Sequence, residues 1–181
     1  MFVTAIALLF AGSAHVDVAA PAAFHRTIGE WTIAGDPKAD GCVARRPEMG
    51  GTQLMIALLA SQETVRFTLS NDAWSQLPDG PIEVTGIFLS PTDDVTDYWS
   101  LSSIGISQSN GGPAIYFDIW RAKNDGASFI DQFKRASTVV FSKGTVPIGK
   151  FDLSGSGAAM SALIDCRDFI RSDPNFDPFA H

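Results

Sequence analysis

The chain has 181 residues, 45% of them apolar and 18% charged, with a formal net charge of −7. That length buries one good core and is short for two domains. An acidic surface on which no Lys/Arg run exceeds a pair such as Arg45-Arg46 repels nucleic acid and anionic lipid headgroups, so nucleic-acid binding is not expected.

The first stretch, MFVTAIALLFAGSAHVDVAAPAA, carries an apolar run over 2–10 that fades into small residues. This is the pattern of an export signal, here assigned to 1–20, although the basic start of such signals is missing. The run is too short for a membrane span, which needs about 20 residues. Small residues permit cleavage after Ala14 or after Ala20, which leaves a mature N-terminus between residues 15 and 24. A buried N-terminal strand or helix is the alternative. A single domain is expected over 21–172, followed by an irregular tail over 173–181 that is rich in Asp and Pro.

Along the chain, TIGEWTIAG (27–35) reads as a strand closed by the turn former GDPKADG, and a second short strand surrounds Cys42 to Arg46. The apolar run 52–61 and the alternating run 63–71, with Val65, Phe67 and Leu69 on one side, read as a hairpin with one buried and one wet face. LPDGP then turns the chain into IEVTGIFLS, and the runs 98–108 and 114–122 flank SNGGP as another antiparallel pair. SFIDQFKRA changes the period. Ser128, three residues before Asp131, predicts a capping-box start, and Phe129, Ile130 and Phe133 share one face of a two-turn helix. Strands over 138–143 and 146–154 meet at Gly144-Thr145. After them, Ala159, Leu163, Cys166 and Ile170 form one stripe of a helix that stops before Pro174. The class is α+β, mainly an antiparallel sheet or half-open barrel with two late helices packed on one side.

The stretch FDLSGSGAAMSALIDC superficially resembles the glycine-rich sites of three chemistries. A phosphate-binding loop needs a lysine after its last glycine, a dinucleotide fingerprint needs a third glycine where Met160 stands, and a nucleophile elbow needs G-x-S-x-G. None is present. The three histidines are His15 in the signal, His25 near the mature start and His181 at the end, so no catalytic base or zinc set is expected. Asp173, Asn175 and Asp177 imitate half a calcium loop, but Pro178 replaces the glycine such a loop needs. No cofactor, metal or catalytic residue is therefore assigned. The expected reading is structural: Gly155 and Gly157 turn the chain, Ser154 or Ser156 caps the helix, and Ala158, Ala159 and Ala162 let it lie close to the sheet. An anion at that helix N-terminus is the alternative. In an exported chain Cys42 and Cys166 would form one bridge, with Cys166 on the buried stripe; in a cytosolic chain they would be separate buried thiols.

The pattern of W-T-I followed by a cysteine, then GGTQLMIAL, LSNDAW and the ending FDLSGSGAAMSALIDC resembles small exported proteins of alphaproteobacteria that end in L-x-G-(S/T)-x-x-A-x-x-x-L-x-x-C. In size, export and ending the chain is also distantly similar to the invasion-associated locus B group. The resemblance implies a periplasmic or secreted protein of unassigned function and carries no catalytic residue.

The functional expectation is an exported, non-enzymatic binding domain of the cell envelope. The alternative is a hydrolase of envelope polymers that uses paired carboxylates. The candidate partner surface is PTDDVTDYW, where Asp93, Asp94 and Asp97 would steer a cationic partner or envelope protein and Tyr98 or Trp99 would anchor it.

Overall fold

In the computed structural model, which describes residues 24–36, 41–59, 63–92, 94–106, 112–120 and 124–173, ten strands pair antiparallel in one sheet. The expected export signal and the tail beyond Asp173 lie outside these residues. Five strands come first: β1 (Phe24–Ile28), β2 (Trp31–Asp36), β3 (Gly41–Pro47), β4 (Gln53–Leu59) and β5 (Thr64–Ser70). They are followed by β6 (Gly80–Leu89), β7 (Val95–Ile106), β8 (Ala114–Trp120), helix α1 (Asn124–Arg135), β9 (Thr138–Lys143), β10 (Val146–Asp152) and helix α2 (Ser156–Arg171). The spatial order is β1-β2-β3-β4-β5-β8-β7-β6-β9-β10. The second run of hairpins is thus laid down in reverse. β8 joins β5, and the chain returns through α1 to set β9 on β6. β1 and β10 end the order and no ladder joins them, so this is an open antiparallel sheet with two late helices, an α+β fold.

Alternation produces the strands. Leu54, Ile56 and Leu58 of β4 and Val65, Phe67 and Leu69 of β5 are all buried, and they face one another across the ladder. The expected first strand over 27–35 is instead two strands. Gly29, at φ +56°, and Glu30 form a two-residue turn that sets Ile28 opposite Trp31. Gly29 is what allows the positive φ.

The two helices pack on the inner face. α1 starts at Asn124 rather than Ser128, so Ser128 lies inside the helix and the expected capping box is not its start. Gly126 within it costs about 1 kcal/mol relative to alanine. That cost is offset because α1 carries Phe129 and Phe133, both fully buried, and burying one such ring contributes about 1.5–3 kcal/mol. In α2 the expected stripe of Ala159, Leu163, Cys166 and Ile170 is fully buried, and Met160 and Ala162 join it. Ala158, however, faces solvent. The expected hydroxyl cap is also absent: Gly155 holds the cap position at φ +80° with no side-chain cap bond. The Ser156 hydroxyl donates to the Phe133 carbonyl at 2.8 Å and ties α2 to α1, while the Ser154 hydroxyl donates to Asp152.

Cys42 on β3 and Cys166 on α2 form a disulfide across 124 residues of sequence, with Cα atoms 6.0 Å apart. Gly35, opposite Cys42 in the ladder, makes room for it. A Cβ at Gly35 would clash with the Cys166 sulfur and come within 2.8 Å of that of Cys42. The bridge fits an oxidising, extracytoplasmic compartment. Among the described residues no helix is long and apolar enough to cross a membrane.

Candidate functional site

Three regions carry chemistry together with access. The first is centred on Arg46, which ends the inner face of β3 and is only 6% exposed. Its Nη1 donates to the Ser154 carbonyl at 2.9 Å and its Nη2 to Asp152 Oδ2 at 2.7 Å. Its Nε lies 2.9 Å from Glu48 Oε1, an ion pair without the alignment of a hydrogen bond. The guanidinium also sits 5.9 Å from the Trp31 ring, whose Nε1 donates to the same Ser154 carbonyl. Burial pushes the Glu48 carboxyl above its ordinary value, against the pull of Arg46. Burial acts upward on Asp152 too, but hydrogen bonds from Ser154 and Arg46 outweigh it and hold that carboxyl below its ordinary value. Two carboxyls pushed apart can mark an acid and base pair. Here both turn to one guanidinium, so the arrangement clamps β3 to the turn between β10 and α2.

The second region is the expected acidic surface. Asp93 lies outside the described residues. Asp94 is exposed and accepts from the Thr92 hydroxyl at 2.6 Å, within a turn where Ser90 Oγ also receives the Asp94 N–H. Asp97 is not in the loop, because β7 begins at Val95 and sets Asp97 opposite Phe88. The pleat then sends the two aromatics to opposite faces. Tyr98 points out, 62% exposed, while Trp99 packs edge-on against Phe129 with ring centroids 5.4 Å apart. Asp94 and Tyr98 are exposed, whereas Asp97 is half-buried on the same side of β7 as Trp99, which packs against the core cluster.

The third region was not singled out from sequence. On the inner face, at the first residues of β6 and β8, a groove of about 490 Å³ opens between the 74–78 loop and the β9–β10 turn. Ile82 and Ile115 line it, both buried. Trp74 and Leu77 line it from the loop, and Val146 and Ile148 from the start of β10. Val146 is 65% exposed. Lys143, the last residue of β9, is the sole ionisable group in the lining. The loop is held in place by Asn71, whose N–H donates to the Pro113 carbonyl and whose side chain donates to Thr52 Oγ1 and the Gly50 carbonyl.

Comparison with known proteins yields no relative. No family model matches the chain, no curated protein matches it, and no solved structure matches it. The site is therefore read from its own geometry. Among the described residues no group of three His, Cys, Asp or Glu side chains could hold a metal ion. No carboxylate lines the groove, and Glu48 and Asp152 are both engaged by Arg46. The sequence reads 146–154 as a strand and LPDGP as a turn, and no local pattern brings Trp74, Leu77, Val146 and Ile148 to one groove.

Proposed function

We propose that the protein is an exported binding domain of the cell envelope, with the groove over Ile82 and Ile115 as its ligand site. The observation that carries this reading is an apolar cavity of about 490 Å³, within the range of about 300–1,000 Å³ usual for small-molecule sites. The disulfide supports the compartment, as does the likeness of the chain's ending to small exported alphaproteobacterial proteins. We read the sheet as a half-open barrel, a view supported by Arg46 drawing β3 and the end of β10 together. The exposed Tyr98 and the exposed Asp94 of the preceding turn favour a second, weaker contact with a cationic envelope partner. The hydrolase alternative lacks a comparable support, since it requires two acids facing each other in a cleft.

Uptake of the neutral dye Nile red, followed by its fluorescence, tests the groove. The exposed Val146→Asp variant should weaken uptake at least fivefold with an unchanged melting temperature. Absence of uptake by the unaltered protein, or equal uptake by the variant, would overturn the assignment.

A further inference from the structure

The groove is apolar along its length and carries one charge. Lys143 stands in its lining with no ion pair or hydrogen bond among the described residues. In a chain of 20 acids and 13 bases, bases have many carboxylates available to them. Arg26, Arg66, Arg167 and Arg171 each meet one, and Arg46 meets two. Lys143 instead has as its cross-ladder neighbour Val146, and the remaining lining is apolar apart from Gln76. A lone ammonium, itself exposed, at the edge of an apolar groove is complementary to a ligand with a hydrocarbon body and a single negative group, because the body covers apolar surface while the head makes a charge-assisted hydrogen bond.

From this complementarity we infer that the groove takes a free monoanionic amphiphile of the fatty-acid type. Its chain lies over Ile82 and Ile115, and its carboxylate accepts from Lys143 Nζ. This rests on the groove being the binding site. A free molecule, rather than a membrane leaflet, is the source, since a net charge of −7 repels an anionic lipid surface.

Calorimetric titration with sodium decanoate, decanol and decyltrimethylammonium, each below its micelle concentration, tests the inference. Decanoate should bind about tenfold more tightly than decanol, and decyltrimethylammonium more weakly than either. Lys143→Met, which keeps the aliphatic stem, should erase the preference for decanoate without changing decanol binding, and Lys143→Arg should restore it. Equal binding of decanoate and decanol, unaffected by Lys143→Met, would overturn the anionic ligand while leaving the groove assignment standing. Failure of all three to bind would overturn the groove assignment itself. Co-sedimentation with phosphatidylglycerol vesicles, lost in Lys143→Met, would overturn the free amphiphile in favour of a membrane surface.

Discussion

Phe88 and Ile82 point to the same inner face of β6, six residues or about 20 Å apart, and their surroundings differ completely. At Phe88 the face is covered by α1. Phe129 packs edge-on against Phe88, Phe67, Trp99 and Phe117, with centroids 5.2–5.9 Å away. At Ile82 the same face opens into the groove. The packed core and the open groove thus occupy different stretches of one surface. The aromatic cluster, the disulfide and the Arg46 clamp fix the sheet, and this fixed sheet holds the groove residues in place without needing a ligand there.

Breaking the covered part should have the largest effect. Replacing Cys42 and Cys166 together by alanine removes a cross-link over 124 residues, and the loss expected from chain entropy is about 4–5 kcal/mol. Urea denaturation should show it as a lower midpoint. Phe129→Ala removes the ring that joins four others and should cost about 3–5 kcal/mol, again read by urea. Both variants should lose groove binding only to the extent that they unfold.

The Arg46 clamp sharpens the comparison through pH. Glu48 has a folded pKa above its ordinary value, so its contribution is fully present below about 4.5 and is lost as pH rises through the folded pKa. Asp152 has a depressed folded pKa, so its contribution is present above about 3.8 and is lost as pH falls through the folded value. Acidification from neutrality should therefore first raise and then lower the urea midpoint. Glu48→Gln should remove the rise, and Asp152→Asn should remove the fall. Because Asp152 is half exposed, its replacement should cost less than about 1 kcal/mol at pH 7. Midpoints that change identically with pH in the two variants would contradict this division of roles. The smallest expected effect on stability belongs to the open part: Val146→Asp and Lys143→Met should leave the urea midpoint where it is while altering ligand affinity.

How much of this was legible in the sequence depended on periodicity. The strand over 64–70 follows from alternation and the buried stripe of α2 from helical spacing, while the strands over 53–59 and 138–143 follow from short apolar or β-branched runs bounded by turn formers. The Gly29 turn was not visible, since Ile28, Trp31 and Ile33 read as one apolar pattern until the chain is folded back on itself. The early start of α1 was hidden by Gly126, a residue of poor local propensity kept helical by the docking of Phe129. The pairing of β5 with β8 and of β6 with β9 is a long-range choice that no local pattern encodes. For the same reason the groove was missed: it joins a loop after β5, the starts of β6 and β8, and the turn after β9. The acidic segment reads in the sequence as a loop leading into a strand, but the strand start at Val95 puts Asp97 in β7 and decides that Tyr98 faces out and Trp99 in.

The most direct test of the division between a covered core and an open groove is an isoleucine-methyl NMR spectrum recorded during titration with sodium decanoate. The methyls of Ile82, Ile115 and Ile148 should shift in a saturable way, and those of Ile33, Ile56 and Ile170 should stay in place. Shifts absent from the first group, or spread equally over both, would contradict the account.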